Sequence, residues 1–194
     1  MKIDLHVHTS NRSHCANSTE IEMIETAMGC GLNAIAITDH HRLVPPERLE
    51  VLNRKYAPFR IFRGIEINAD QEDWLVLGLQ DSALEREDWT YPELFTFVRS
   101  RGGILVLAHP FRFHADVGVD LKHFPPDAVE IHSNNIRGEN VPKIRRLADD
   151  LKIPTLSNSD AHHTRLLGKY FNQITSIVID EASILGQIQA SSSI

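Results

Sequence analysis

Short apolar runs alternate along this chain with segments of helical periodicity. The runs Lys2–Val7, Ala34–Thr38, Arg60–Asn68, Trp74–Leu79, Ile104–Ala108, Ala128–His132, Pro154–Leu156 and Ile174–Ile179 read as buried strands. Thr19 and Glu22 make a capping box ahead of Ile21, Ile24, Ala27 and Met28, and Gly29 and Gly31 close that helix. Thr90 and Glu93 repeat the device before Leu94, Phe95, Phe97 and Val98, with Gly102-Gly103 as the stop. Ile144, Leu147, Ala148 and Leu151 form a helical stripe that Pro154 blocks from continuing. Ile184, Leu185 and Ile188 suggest a last amphipathic helix. Such alternation predicts an α/β fold, with parallel strands covered by helices as a barrel or an open sheet. The 194 residues suit a single domain over 1–194, large enough to bury roughly 70% of its unfolded surface without a disulfide.

The strands share a second property. Nearly every one ends, on its carboxyl side, in a side chain able to bind metal. His6 and His8 are two apart, so they leave the first strand on one face. "NAIAIT" runs into Asp39, His40 and His41. In "RIFRGIEIN", Ile61, Ile65 and Ile67 share one face and Glu66 takes the other. "GILVLAHP" ends in His109, "DAVEIHS" in His132, and "IPTLSNSDAHH" delivers Asp160, His162 and His163. The carboxyl ends of parallel strands are where catalytic groups of α/β barrels gather. A single histidine after a strand is an ordinary loop residue. The repetition at five or more strand ends points to a multinuclear site rich in imidazole and carboxylate. His114 and His123 follow no strand and read as solvated. His41 and His163, second in their pairs, read as outer groups. Cys15 and Cys30 read as buried or inert thiols rather than ligands.

Composition narrows the classes. Hydrophobic residues at 42% and charged residues at 24% describe a globular chain. A formal charge of −6 without a basic block argues against a long nucleic-acid partner. Two cysteines make no disulfide framework and suit a reducing, cytoplasmic setting. Asp4 and His6 interrupt any signal-peptide core, and no run is long enough to span a bilayer, so no membrane is expected.

The motifs "DLHVHT", "AITDH", "GIEIN", "AHP" and "SDAH", in this order, resemble the PHP (polymerase and histidinol phosphatase) family of metal-dependent phosphoesterases, from Lys2 to about Gly168. The resemblance implies a distorted seven-stranded (β/α) barrel, with parallel strands, outer helices and a two- or three-metal cleft at their carboxyl ends. It implies a first metal on His6, His8, Glu66 and Asp160. A second shares Glu66 and adds His109 with His132, for which Glu130 on the same face is a rival. A third takes His14, His40 and His162. Nitrogen-rich ligands of this kind suit zinc, iron or manganese better than magnesium.

The activity implied is hydrolysis of a phosphate ester, with Glu66, Asp160 and His109 at the chemistry. A hydroxide shared by the first two metals is the expected nucleophile. Arg112 and Arg137, each just beyond a site strand, are candidate phosphate clamps. The leading expectation is a phosphomonoesterase acting on a small phosphorylated metabolite or nucleotide. The alternatives are a phosphodiesterase or exonuclease on short oligonucleotides, a histidinol phosphatase, a non-catalytic metal-binding domain and an amidohydrolase. The last of these groups often requires a carboxylated lysine where Glu66 stands here.

Overall fold

The computed structural model describes residues 1–174 and 186–187. Its strands are β1 (Lys2–Val7), β2 (Ala34–Ile37), β3 (Arg60–Ala69), β4 (Glu72–Leu77), β5 (Ile104–Leu107), β6 (Ala128–His132), β7 (Thr155–Ser157) and β8 (Asn172–Gln173). They form one sheet in the order β7-β6-β5-β4-β3-β2-β1-β8. A bridge between Val7 and Ala161, with His8 N–H donating to the Ala161 carbonyl at 2.9 Å, ties the end of β1 to the segment after β7. The result is a mostly parallel sheet nearly closed into a barrel, which decides between the barrel and the open sheet that the alternation allowed. Of the expected strand Ile174–Ile179, all but Ile174 lies outside the described residues, as do Ile184, Leu185 and Ile188 of the expected last helix. Among the described residues no helix is long and apolar enough to cross a membrane.

Two strands depart from the parallel pattern: the short edge strand β8, antiparallel to β1, and β4 within the sheet. β4 runs antiparallel to both β3 and β5. Ala69 pairs with Glu72, so only Asp70 and Gln71 make the turn, at φ +51° and +68°. Two consecutive left-handed residues give the turn whose twist suits a tight hairpin. A two-residue link cannot cross over a sheet to start a parallel strand.

Helices α1 (Glu20–Gly29), α2 (Pro46–Tyr56), α3 (Tyr91–Ser100) and α4 (Val141–Leu151) cover the sheet. The Thr19–Glu22 and Thr90–Glu93 capping boxes both form. The α2 helix was not foreseen, because "PERLEVLNRKY" carries only a thin apolar stripe. Leu49, Leu52 and Tyr56 are nonetheless buried, and Pro46 stands in the first turn, where its missing N–H costs nothing. Ile24, Leu52, Leu94 and Ile144 are fully buried. Each contributes about 1.5–3 kcal/mol by leaving water.

The barrel lumen is filled by Ile3, Leu5, Ala34, Ala36, Phe62, Leu75, Leu77, Ile104, Val106, Ala128 and Leu156, drawn from seven strands and no helix. Val7, although it shares parity with Ile3 and Leu5, packs in the outer layer against α1 and α2. The β1–β2 register shifts between Asp4 and Val7. This bulge reverses which face is inward, so His6 and His8 cap the lumen while Val7 holds the helices.

Candidate metal centre

Above this apolar plug sit groups the sequence scatters over more than 150 positions. His6 and His8 leave β1, and Glu66 lies on β3 on the lumen face of Phe62. His109 follows β5, and Asp160 follows β7. All five are 3% exposed or less. His109 and Asp160 have φ of +27° and +51°, where non-glycine residues are strained by about 1–3 kcal/mol. Strain of that kind persists where surrounding contacts fix a functional side chain.

Four atoms converge. His6 Nε2 and His8 Nε2 are 3.0 Å apart. Glu66 Oε2 lies 3.3 Å from the first and 3.1 Å from the second. Asp160 Oδ1 lies 3.4 and 3.3 Å from the same two nitrogens. A tetrahedral ion with ligand bonds of about 2.0–2.1 Å separates its ligands by about 3.3–3.4 Å. Five edges of the figure defined by these atoms therefore fall near the length such an ion imposes. Glu66 Oε2 and Asp160 Oδ1 are also buried without a hydrogen bond, since the neighbouring nitrogens approach them off the hydrogen-bonding direction. Leaving two carboxylate oxygens unsatisfied in a dry interior is costly, and a divalent cation removes that cost.

The remaining oxygens face the other way. Glu66 Oε1 lies 3.0 Å from His109 Nε2, and Asp160 Oδ2 lies 3.8 Å from it. Asp160 Oδ2 also accepts from Asn135 Nδ2 at 2.5 Å. Both carboxylates thus span the gap between the His6–His8 pair and His109. On the opposite side His40 Nδ1 is 3.1 Å from Glu66 Oε2, and His162 Nδ1 is 3.4 Å from Asp160 Oδ1. Their rings stack on His8 at 4.4 and 4.2 Å. Among the described residues, metal-competent triads arise from His6, His8 and Glu66, from His6, His109 and Asp160, from His8, His40 and His162, and from Glu66, Asp73 and His109.

Electrostatics follow from burial against acids. Burial works against charge on His6, but Asp160, Glu130 and Glu66 outweigh it and hold its pKa well above the usual value. His8 suffers the same burial, and its contacts with Asp160 and Glu66 raise it to about 9. Burial opposes ionisation of Glu66, yet His6, His109 and His8 keep it well below its ordinary value. His40 and His162 lie at the rim. Burial lowers His40 to about 4 against the pull of Glu66, and lowers His162 with help from His8. The two buried acids thus draw positive charge to the His6–His8 pair, as a proton or as a cation. Ligands must be deprotonated to bind, so metal and proton compete for the same nitrogens.

The structure does not gather every predicted residue. His14 is exposed and joins none of these groups among the described residues. His132 is half-buried at the end of β6, beyond a register shift, with its ring stacked on Tyr170 at 6.0 Å. Arg112 is exposed over the Phe113 ring, in a depression it shares with His109 and Asp73. Arg137 is exposed, with Glu139 at 3.9 Å. Cys15 and Cys30 are exposed free thiols, so of the two alternatives, buried or inert, burial does not hold. Two residues were missed. Asp73 shares the lumen face of Leu75 and Leu77, and its Oδ2 is 3.8 Å from His109 Nδ1. It escaped notice because β4 is antiparallel, so its amino end reaches the mouth. Asn135 carried no signal beyond lying after β6.

A model of the PHP domain matches residues 4–190. The chain belongs to the PHP domain family. Similar folds occur in a Bifidobacterium adolescentis protein described as a "putative metal-dependent phosphoesterase", with a TM-score of 0.71, 15% identity and coverage of 97% of this chain and 96% of that one. An amidohydrolase from Chromobacterium violaceum, solved with sulfate and no metal, gives 0.70 at 16% identity and 97% coverage of both chains. A two-domain Bacteroides vulgatus protein containing a predicted PHP-like metal-dependent phosphoesterase gives 0.66 at 17% identity. Its alignment covers 85% of this chain, which spans about half, 53%, of that protein. The sequence matches no curated protein. At such identities the likenesses establish the fold. In this PHP domain the quoted motifs supply the side chains at the barrel mouth.

Proposed function

We propose that this PHP domain hydrolyses phosphate monoesters of small metabolites or nucleotides with two or three divalent cations, zinc, iron or manganese. The observation that carries the reading is the near-tetrahedral set of His6, His8, Glu66 and Asp160, closed by two buried oxygens without hydrogen bonds. Glu66 and Asp160 would then lie between a first ion and a second held by His109, with Asp73 beside it and His132 as its further proposed ligand. A third ion would fall to His40 and His162, with His14 from the β1–α1 loop. Bound cations of this kind lower the pKa of water from 15.7 to about 7 and neutralise charge building on a phosphoryl group.

The chain's own part is placement. Glu66 sets the spacing of the two sites by offering one oxygen to each. Asn135 holds Asp160 through Oδ2 and leaves Oδ1 to the first site. Ser13 Oγ lies 3.4 Å from His8 Nδ1 and donates to Asp39 at 2.8 Å, so it braces His8 from behind. Arg112, beside His109, is the proposed phosphate clamp, and its guanidinium suits two phosphate oxygens at once. Arg137 is proposed in the same role from the β6 side.

The test is metal analysis of purified protein, followed by phosphate release from sugar phosphates, nucleotides and phosphoamino acids, before and after chelation. Release that chelation abolishes and a divalent ion restores supports the reading. Release indifferent to chelation, or none from any ester, refutes it.

A further inference from the structure

Behind the convergent ligands lies a carboxylate that none of the cation-holding groups includes. Glu130, on β6, is fully buried on the lumen face of Ala128. Its Oε1 accepts from His6 Nδ1 at 2.9 Å and from Asn158 Nδ2 at 2.7 Å. Its Oε2 accepts the backbone N–H of His109 at 3.0 Å. One side chain thus touches two proposed ligands from the side away from the ions. Oε1 has both lone pairs occupied, so it has none to offer a metal.

The consequences differ for the two ligands. A carboxylate only accepts, so the ring nitrogen that meets it must carry the proton. That places the His6 proton on Nδ1 and leaves the Nε2 lone pair aimed at His8, Glu66 and Asp160. For His109 the grip is on the backbone, at a residue whose φ of +27° is disfavoured for any side chain. Holding that N–H keeps the peptide turned so that Nε2 reaches Glu66.

We infer that Glu130 is a positioning residue that fixes the His6 tautomer and the His109 backbone, and is not itself a ligand. The inference rests on the cation-binding reading above. Glutamine in its place cannot serve all three donors. If its oxygen keeps His6 and Asn158, its amide N–H meets the N–H of His109. If it is turned round, the amide faces His6 Nδ1 and favours the wrong tautomer.

Zinc titration of wild type and Glu130→Gln, with stoichiometry measured alongside affinity, separates the roles. The expected result is unchanged stoichiometry with affinity weaker by roughly 10–100-fold, the usual effect of losing a carboxylate behind a histidine ligand. Unchanged affinity overturns the inference, and so does loss of one whole equivalent, which would make Glu130 a ligand. Nitrogen-15 spectra of histidine-labelled, zinc-loaded wild type give a second answer that needs no variant to fold. His6 should carry its proton on Nδ1, and an unprotonated Nδ1 overturns the inference. If wild type takes up no zinc, manganese or iron, the cation-binding reading falls and takes this inference with it. Uptake that is equal in both proteins removes this inference alone.

Discussion

Glu66 turns Oε1 to His109 Nε2 at 3.0 Å and leaves Oε2, on the other side, buried without a hydrogen bond. One carboxylate therefore faces both His109 and the His6–His8 pair, and on the proposed reading its charge matters more than its shape. Glu66→Gln preserves the shape. Metal content should fall and phosphate release should drop at least ~100-fold, beyond the 10–100-fold typical of residues behind a ligand. Elemental analysis beside a phosphate assay checks this, and full metal content in the variant would remove the bridging role.

Asp39 offers a stability prediction. It is fully buried and accepts from Thr9 N, Thr9 Oγ1, Arg12 Nε and Ser13 Oγ at 2.6–2.8 Å. Asp39→Ala leaves those donors short of an acceptor, although Arg12 keeps Glu20 at 2.9 Å. The expected cost is about 3 kcal/mol, read as a fall in Tm of roughly 6–12 °C. A melting curve that hardly moves would mean the loop is braced by other contacts.

The two capping boxes set a pH dependence. Glu22 accepts from the Thr19 backbone and hydroxyl, and Glu93 does the same with Thr90, so both carboxyls titrate below their ordinary value of 4.5. A carboxyl lowered by folding stabilises the fold above its unfolded pKa, and that contribution is lost as pH falls through the folded value. Wild type should therefore lose more Tm between pH 5 and pH 3 than the Glu22→Gln, Glu93→Gln double variant, whose caps do not titrate. Parallel pH profiles would place the acid sensitivity elsewhere.

Salt distinguishes the substrate class. With no basic block in a chain of net charge −6, kcat/KM on a small phosphate ester should change only a few-fold between 50 and 200 mM salt. A protein that grips nucleic acid through six to ten phosphates loses about 10³–10⁵ in affinity over that range. A steep loss here would favour the oligonucleotide alternative.

Short apolar runs and helical periodicity made most strands, and three of the four α-helices among the described residues, legible in the sequence, because buried strands and capped helices impose them directly. The convergence of His6, His8, Glu66, His109 and Asp160 was also legible, since each follows or ends a lumen-facing run. What escaped reading depended on chain direction and local register. Asp73 lies at the amino end of β4, and only the Asp70–Gln71 turn decides that this end faces the mouth. His132 stands beyond a register shift after Glu130 and against Tyr170, an arrangement no single-strand pattern reports. His14 shares the histidine-rich run of His6 and His8, but it lies beyond β1, where strand alternation no longer fixes a direction.

The most direct measurement is the number of divalent ions per chain in protein purified without chelator, repeated after stripping and reloading with zinc, iron or manganese. The account predicts at least two tightly held equivalents, and loss of both the ions and phosphate release in a His6→Ala, Asp160→Ala variant that still folds. A wild-type chain that remains metal-free under every loading condition would contradict it.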